Sequence, residues 1–174
     1  MKSLWAPWRL EFVTKQKRHG CFLCEALKGP DAGKRLMLHV GKTCFCMLNK
    51  FPYNNGHLLI APKRHKGRLD QLTEEEGLEL LRMAGQMQKI LKKALRPHGF
   101  NMGFNFGQVS GAGLPSHLHL HIVPRWRGDT NFMPVLADVK VMPQSLDALR
   151  DCLKAHLKNC GLPIADCGLK RKVK

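Results

Sequence analysis

The sequence predicts an α+β domain, an antiparallel sheet with a long helix on one face. Three observations carry the prediction. Short apolar runs at Cys44–Asn49 and Gly56–Pro62 flank a turn-forming Pro-Tyr-Asn-Asn segment. A second pair of strand-like segments, 100–107 and 117–123, flanks a loop of small residues. A long amphipathic stretch with a start signal lies between the two pairs, and strands grouped around such a helix bury their apolar faces most simply as a sheet covered by it.

Taken in order, the first 17 residues hold Trp5 and Trp8 around Pro7 without helical or strand periodicity, and read as an ordered arm because indoles seldom sit free in solvent. The runs at 44–49 and 56–62 are short and apolar, which with the turn chemistry of Lys50–Asn55 makes an antiparallel pair. Thr73 followed by Glu76 matches a capping box. Leu78, Leu81, Met87, Ile90, Leu91 and Leu95 then recur at helical spacing until Pro97 and Gly99 stop the pattern. Residues 100–107 alternate loosely around Gly103 and Gly107, Ser110–Gly113 is a loop, and 117–123 resumes as a strand ended by Pro124. Leu146, Leu149, Leu153 and Leu157 mark a short helix over 145–157.

The 174 residues suit one domain with a core able to fold unaided. The longest apolar run, Cys44–Leu48, is far below the roughly 20 residues a membrane helix needs. No membrane partner is expected. Seven cysteines with no export signal argue against a disulfide framework and for a reducing compartment, the cytoplasm. The net charge of +16 favours polyanions, and only four of the 29 Lys and Arg residues lie in the terminal run Leu169–Lys174. Nucleic acid and free nucleotides both fit this charge, as does a generally basic protein.

The sharpest feature is His117-Leu118-His119-Leu120-His121-Ile122-Val123. On a strand, alternate side chains share a face, so the three imidazoles would stand in a row about 7 Å apart with the aliphatic residues toward the core. That spacing suits one phosphoryl group. An imidazole near neutrality serves as nucleophile, acid or donor, and the preceding glycine-rich loop can offer backbone N–H groups to anionic oxygens. Acyl transfer fits less well, because Ser110 and Ser116 have no nucleophile-elbow context. A catalytic zinc held by the three histidines is chemically open as well. Cys21 and Cys24 have the spacing of half a zinc site, whereas Cys44 and Cys46 beside Phe45 and Met47 read as buried thiols. His19, His39, His98 and His156 read as solvated.

His117–Val123 resembles, at every position, the motif of the histidine triad (HIT) family, His-φ-His-φ-His-φ-φ with φ apolar. Leu48-Asn49 with Gly56–Pro62 is similar to that family's nucleotide-binding strand pair, and Asn105 with Gly111–Gly113 to its phosphate loop. Trp5–Arg9, Pro124–Trp126 and Gly128–Phe132 resemble the bacterial branch near the diadenosine tetraphosphate phosphorylases. The resemblance implies a HIT-like antiparallel sheet of about five strands with a long helix packed on it. It places a core at about 20–130 within a single domain, 1–174, with an N-terminal arm 1–19 and a C-terminal extension 131–174.

It further implies that His119 is the nucleophile toward an α-phosphorus, that His121 contacts the α-phosphate and that His57 joins the histidine cluster. Asn49 would hold the ribose, and Asn105, Gly111 and Gly113 the phosphate side. Structural zinc would be held by Cys21, Cys24, His65 and His117, and the protein would be a homodimer through the long helix and the sheet edge. One departure stands out: the family's Gln-Ser or Gln-Thr pair before the triad is replaced by Gly113-Leu114. Without that hydroxyl a good leaving group is favoured. A dinucleoside polyphosphate is therefore the leading substrate, phosphorolysis to ATP and ADP the favoured outcome, and phosphoramidate hydrolysis or nucleotide and nucleic-acid binding without catalysis the alternatives.

Overall fold

The computed structural model describes residues 20–28, 36–107, 109–110, 112–129 and 142–159. The arm 1–19 and the basic terminal run lie outside them. In chain order the elements are α1 (Phe22–Lys28), β1 (Met37–Val40), β2 (Cys44–Leu48), β3 (Leu58–Pro62), α2 (Glu74–Leu95), β4 (Gly99–Phe104), β5 (Leu120–Arg125) and α3 (Leu146–Asn159). The five strands form one antiparallel sheet in the order β1-β2-β3-β5-β4. This is the expected α+β arrangement, with β1 and α1 as additions the residue pattern did not reveal.

Alternation along the strands divides the interior in two. On one side Leu48, Leu58, Ile60, Leu120 and Ile122 meet Leu80, Met83, Ala84, Met87, Ile90 and Leu91 of α2 and Leu149, Leu153 and Leu157 of α3. On the other side Phe45, Met47, Leu59 and Ala61 meet Leu23 and Ala26 of α1. The α2 stripe runs through Leu80, Met83, Met87 and Ile90, so Leu78 and Leu81, expected on it, are 50% and 66% exposed instead. His39, read as solvated, is buried on β1 opposite Cys46.

The capping box at Thr73 and Glu76 is formed as the sequence indicates. At the far end Arg96 takes a left-handed conformation (φ 49°) before Pro97, which cannot continue the helix. Gly56 (φ 78°) closes the β2–β3 connection where a Cβ would meet Leu95 Cδ1 at 2.7 Å, so glycine alone fits there.

Two carboxylates of α2 tie the helix to the sheet. Glu79 accepts from the amides of Lys42, Thr43 and Cys44, closing the β1–β2 turn. Glu76, 3% exposed, receives Arg64 Nε and Nη2 at 2.6 Å each. This pair pins the segment after β3, which carries His65. Arg64 and the cap hold the Glu76 carboxyl down at about 2 against an ordinary 4.5. Its stabilisation is therefore complete above about pH 4.5 and is lost as the pH falls toward 2. With Arg64 half exposed, the expected cost of Glu76→Gln at pH 7 is about 1–2 kcal/mol, or a melting temperature lower by about 2–8 °C. The difference between variant and parent should shrink below about pH 4.5 and vanish near pH 2. An equal difference at both ends of the pH range would contradict this role.

Candidate active site

The 117–123 segment departs from the expected continuous strand. Pairing with β3 covers only Leu120, His121 and Ile122, so His117 and His119 precede β5. The ladder stops there for three reasons. Pro62 has no N–H, its carbonyl is taken by the His117 ring, and the Leu118 amide turns to Lys66 O at 2.6 Å. Gly67 allows this contact, since a Cβ there would lie 2.9 Å from Pro115 O. Beyond β3, pairing with β4 carries β5 through Pro124, opposite Phe100, to Arg125, opposite Gly99, instead of ending before the proline, and the Pro124 carbonyl accepts from Asn54.

Each histidine is fixed by different partners, and the partners assign the ring protons. His117 Nε2 donates to Pro62 O at 2.9 Å, leaving the Nδ1 lone pair facing Cys21 Sγ at 3.1 Å and Cys24 Sγ at 3.5 Å. His119 Nδ1 donates to the His117 carbonyl at 2.8 Å, leaving the lone pair on Nε2. His57 Nδ1 accepts from the Tyr53 amide at 2.9 Å, with Asn49 Nδ2 at 3.2 Å, so its proton lies on Nε2 and is donated to His121 Nδ1 at 2.9 Å. The neutral His121 ring therefore carries its proton on Nε2, a buried atom with no partner among the described residues.

His57, His119 and His121 form one cluster. Ring centroids of His119 and His121 are 4.8 Å apart, those of His57 and His121 5.1 Å. Tyr53 lies against the cluster, 4.7 Å from His57 and stacked on His121 at 5.7 Å. His121 faces the α1 side of the sheet with Leu59 on one neighbouring strand and, on the other, Gly103, which has no side chain to lay beside it. Burial lowers the pKa of His119, and burial followed by the field of His119 lowers that of His121 to about 4. Both rings are neutral at pH 7: one offers a lone pair, the other an N–H.

Cys21, just before α1, and Cys24, on its first turn, lie beside His65 and His117, and the four ligand atoms are all within 4.8 Å of one another. Cys24 Sγ is 3.3 Å from His65 Nδ1. Tetrahedral bonds of the usual Zn–S and Zn–N lengths separate ligands by about 3.3–3.8 Å, so spacing and donor set fit a metal ion bound by four protein ligands. The His117 tautomer fits too, because Nε2–H is spent on Pro62 and Nδ1 points to the thiols. Cys44 and Cys46 are fully buried in the helix-side core, with Cys44 pushed up to about 11 and Cys46 higher, as expected of unreactive thiols.

Of the expected phosphate-side residues, Asn105 is half-buried just past β4 and Gly113 is exposed with open space about it, while Gly111 lies outside the described residues. Asn49 contacts His57 and caps Phe51 N through Oδ1 at 3.0 Å. Sequence reasoning passed over Tyr53, Asn54 and Asp129. The Pro-Tyr-Asn-Asn turn marked the first two only as turn formers, and nothing local ties Asp129 to them.

A HIT domain profile matches residues 35–128. The chain belongs to the HIT family and is a nucleotide hydrolase or transferase enzyme of it. It is 42% identical over 161 residues to the AP-4-A phosphorylase of Mycobacterium tuberculosis, covering 88% of this chain and 83% of that one. The fold is shared with a Zn-bound histidine triad family protein from Mycobacterium smegmatis, at a TM-score of 0.66, 24% identity, and coverage of 81% and 95% of the two chains. It is also shared with the Plasmodium falciparum diadenosine triphosphate hydrolase, at a TM-score of 0.60, 16% identity, and coverage of 80% and 98%.

The geometry sets a pH expectation. An NMR titration of the ring nitrogens should show His121 neutral throughout the physiological range and protonating only near pH 4. A midpoint near 6.5 would contradict the buried, proton-accepting environment of its Nδ1.

Proposed function

We propose that this enzyme splits dinucleoside polyphosphates, diadenosine tetraphosphate foremost, through a covalent nucleotidyl intermediate on His119, with inorganic phosphate as acceptor. The observation that carries the proposal is the complementary state of neighbouring rings: a lone pair on His119 Nε2 beside an N–H on His121 Nε2. His119 Nε2 attacks the α-phosphorus. The bond from phosphorus to the bridging oxygen breaks, and ATP leaves with the electron pair. The proton on His119 Nδ1 stays there, and its hydrogen bond to the His117 carbonyl stabilises the positive charge the ring acquires. His121 Nε2–H donates to the phosphoryl oxygens as charge grows on them, a role worth most in a water-poor site. A phosphate oxygen then attacks the same phosphorus, His119 departs, and the products are ADP and ATP.

Asn49 is assigned to the ribose, and Asn105, Gly113 and Gly111 to the phosphates. Basic residues of the 63–68 loop, held against the segment before β5, would attract the polyphosphate. Supporting the choice of a good leaving group, Ser110 donates to Phe106 O and Gly107 O, and no hydroxyl stands at 113 or 114. The phosphorylase name of the tuberculosis relative supports phosphate over water as acceptor. His119→Ala should abolish turnover while nucleotide affinity stays within about tenfold, because a nucleophile acts on the transition state more than on ground-state binding. Mass analysis of products formed with excess phosphate should give ATP plus ADP. AMP plus ATP without ADP would overturn phosphorolysis, and faster cleavage of adenosine phosphoramidate would overturn the substrate class.

Zinc is the metal proposed for Cys21, Cys24, His65 and His117, where it would lock the His117 ring and so the carbonyl that orients His119. Four protein ligands close the tetrahedron, which makes the role structural, and a cytoplasmic setting would keep both thiols reduced. Elemental analysis should find one zinc per chain. Retention of zinc by Cys24→Ser, or no change in the metal-free parent's melting temperature on adding zinc, would sink the assignment. A homodimer is proposed through α2 and the β4 edge, where Asn101, Met102 and Gly103 are exposed. Light scattering should give about twice the 19.7 kDa of one chain, and a monomer mass would refute it.

A further inference from the structure

Asp129 lies at the turn after β5, outside the histidine cluster, yet its carboxylate collects donors from three places. Arg125 Nε reaches Oδ2 at 2.5 Å and Arg125 Nη2 reaches Oδ1 at 2.9 Å. The Trp126 amide donates to Oδ2 at 3.2 Å, and Asn54 Nδ2 does so at 2.9 Å. The Asp129 side chain is only 9% exposed. The partners of Asn54 fix its amide orientation: Nδ2 serves Asp129 and the Pro124 carbonyl, while Oδ1 accepts from the Asn55 amide at 3.2 Å.

Asn54 in turn holds the backbone that fixes His57. Its carbonyl accepts the His57 amide at 3.1 Å, and the residue before it, Tyr53, presents the N–H that occupies His57 Nδ1. If that N–H moves away, His57 Nδ1 loses its shorter donor and keeps the longer contact to Asn49 Nδ2 at 3.2 Å, so the proton can exchange more readily between ring nitrogens and His121 loses part of the donor that keeps its own proton on Nε2. We propose that Asp129 is a positioning residue that, by clamping Asn54, holds the 49–57 turn and so sets the tautomers of His57 and His121. The catalytic consequence rests on the proposed role of His121; the tautomers themselves do not.

The chemistry of the clamp selects the test. A carboxylate accepts on both oxygens, whereas an asparagine turns an NH2 toward the donors of Arg125 or Asn54. Asp129→Asn therefore breaks the clamp at constant size, and Asn54→Ala breaks it while leaving the Arg125–Asp129 pair. Arg127→Ala, on the same turn with an exposed side chain, is the control. Histidine 15N spectra of the full-length parent should show His57 and His121 each as a single tautomer protonated at Nε2. In both clamp variants these signals should move toward tautomer averages. With diadenosine tetraphosphate and phosphate, kcat should fall about 10- to 100-fold with KM within about threefold, because misplacement of a reacting group acts on the transition state. Asp129→Glu should recover part of the loss, and the control should match the parent. If Asp129→Asn melts below the assay temperature, Asn54→Ala alone decides the matter. Unchanged tautomer signals in a folded clamp variant would overturn the proposal, and altered tautomers with parental kcat would overturn its catalytic consequence. A parent that turns over no dinucleotide would refute the proposed activity instead, with the 15N spectra still deciding the clamp.

Discussion

His117 is the point on which the site depends, because one residue is engaged from three directions. Its Nε2–H reaches the Pro62 carbonyl, its Nδ1 faces the two thiols, and its own carbonyl receives the Nδ1 proton of His119. The first contact accompanies the end of the β3–β5 ladder two residue pairs before β3 itself ends, the second creates a place for a metal ion, and the third determines which nitrogen of His119 holds a lone pair. A regular strand would have spent these backbone groups on its neighbours. The irregularity is thus what frees these groups for the roles proposed for them.

The remainder of the fold supplies rigidity around that point. The helix side of the sheet is apolar and closed by α2 and α3, whereas the α1 side gives way, near His121, to Tyr53, His57 and the uncovered Gly103. Two separate polar ties hold the segments that carry His65 and His57. Arg64 and Glu76 set the loop bearing His65, and the turn that fixes His57 is held by Asn54. Both ties bury a carboxylate among several donors, an arrangement costly to assemble from water and therefore costly to disturb.

Features with local or periodic causes were legible in the sequence. Thr73 and Glu76 marked the start of α2, the Leu146 to Leu157 spacing marked α3, and the histidine motif marked a histidine cluster. The zinc-type ligand set came from family resemblance, and the structure brings all four residues together. What was not legible depended on distant partners. The motif predicted a strand from His117 because side-chain alternation says nothing of where backbone partners run out. Leu78 and Leu81 matched helical spacing yet lie off the buried stripe, since periodicity does not reveal which arc a sheet will cover. The meeting of Asn54 with Asp129 spans 75 positions and has no sequence signature.

The central claim is that His119 receives the nucleotide before any acceptor does, and the stereochemical course at phosphorus tests it most directly. With a dinucleoside polyphosphate made chiral by sulfur at the α-phosphorus, transfer to phosphate should proceed with net retention, because two in-line displacements at one centre restore its configuration. Net inversion would mean that phosphate attacks directly, and the tautomer assigned to His119 would then have no covalent role.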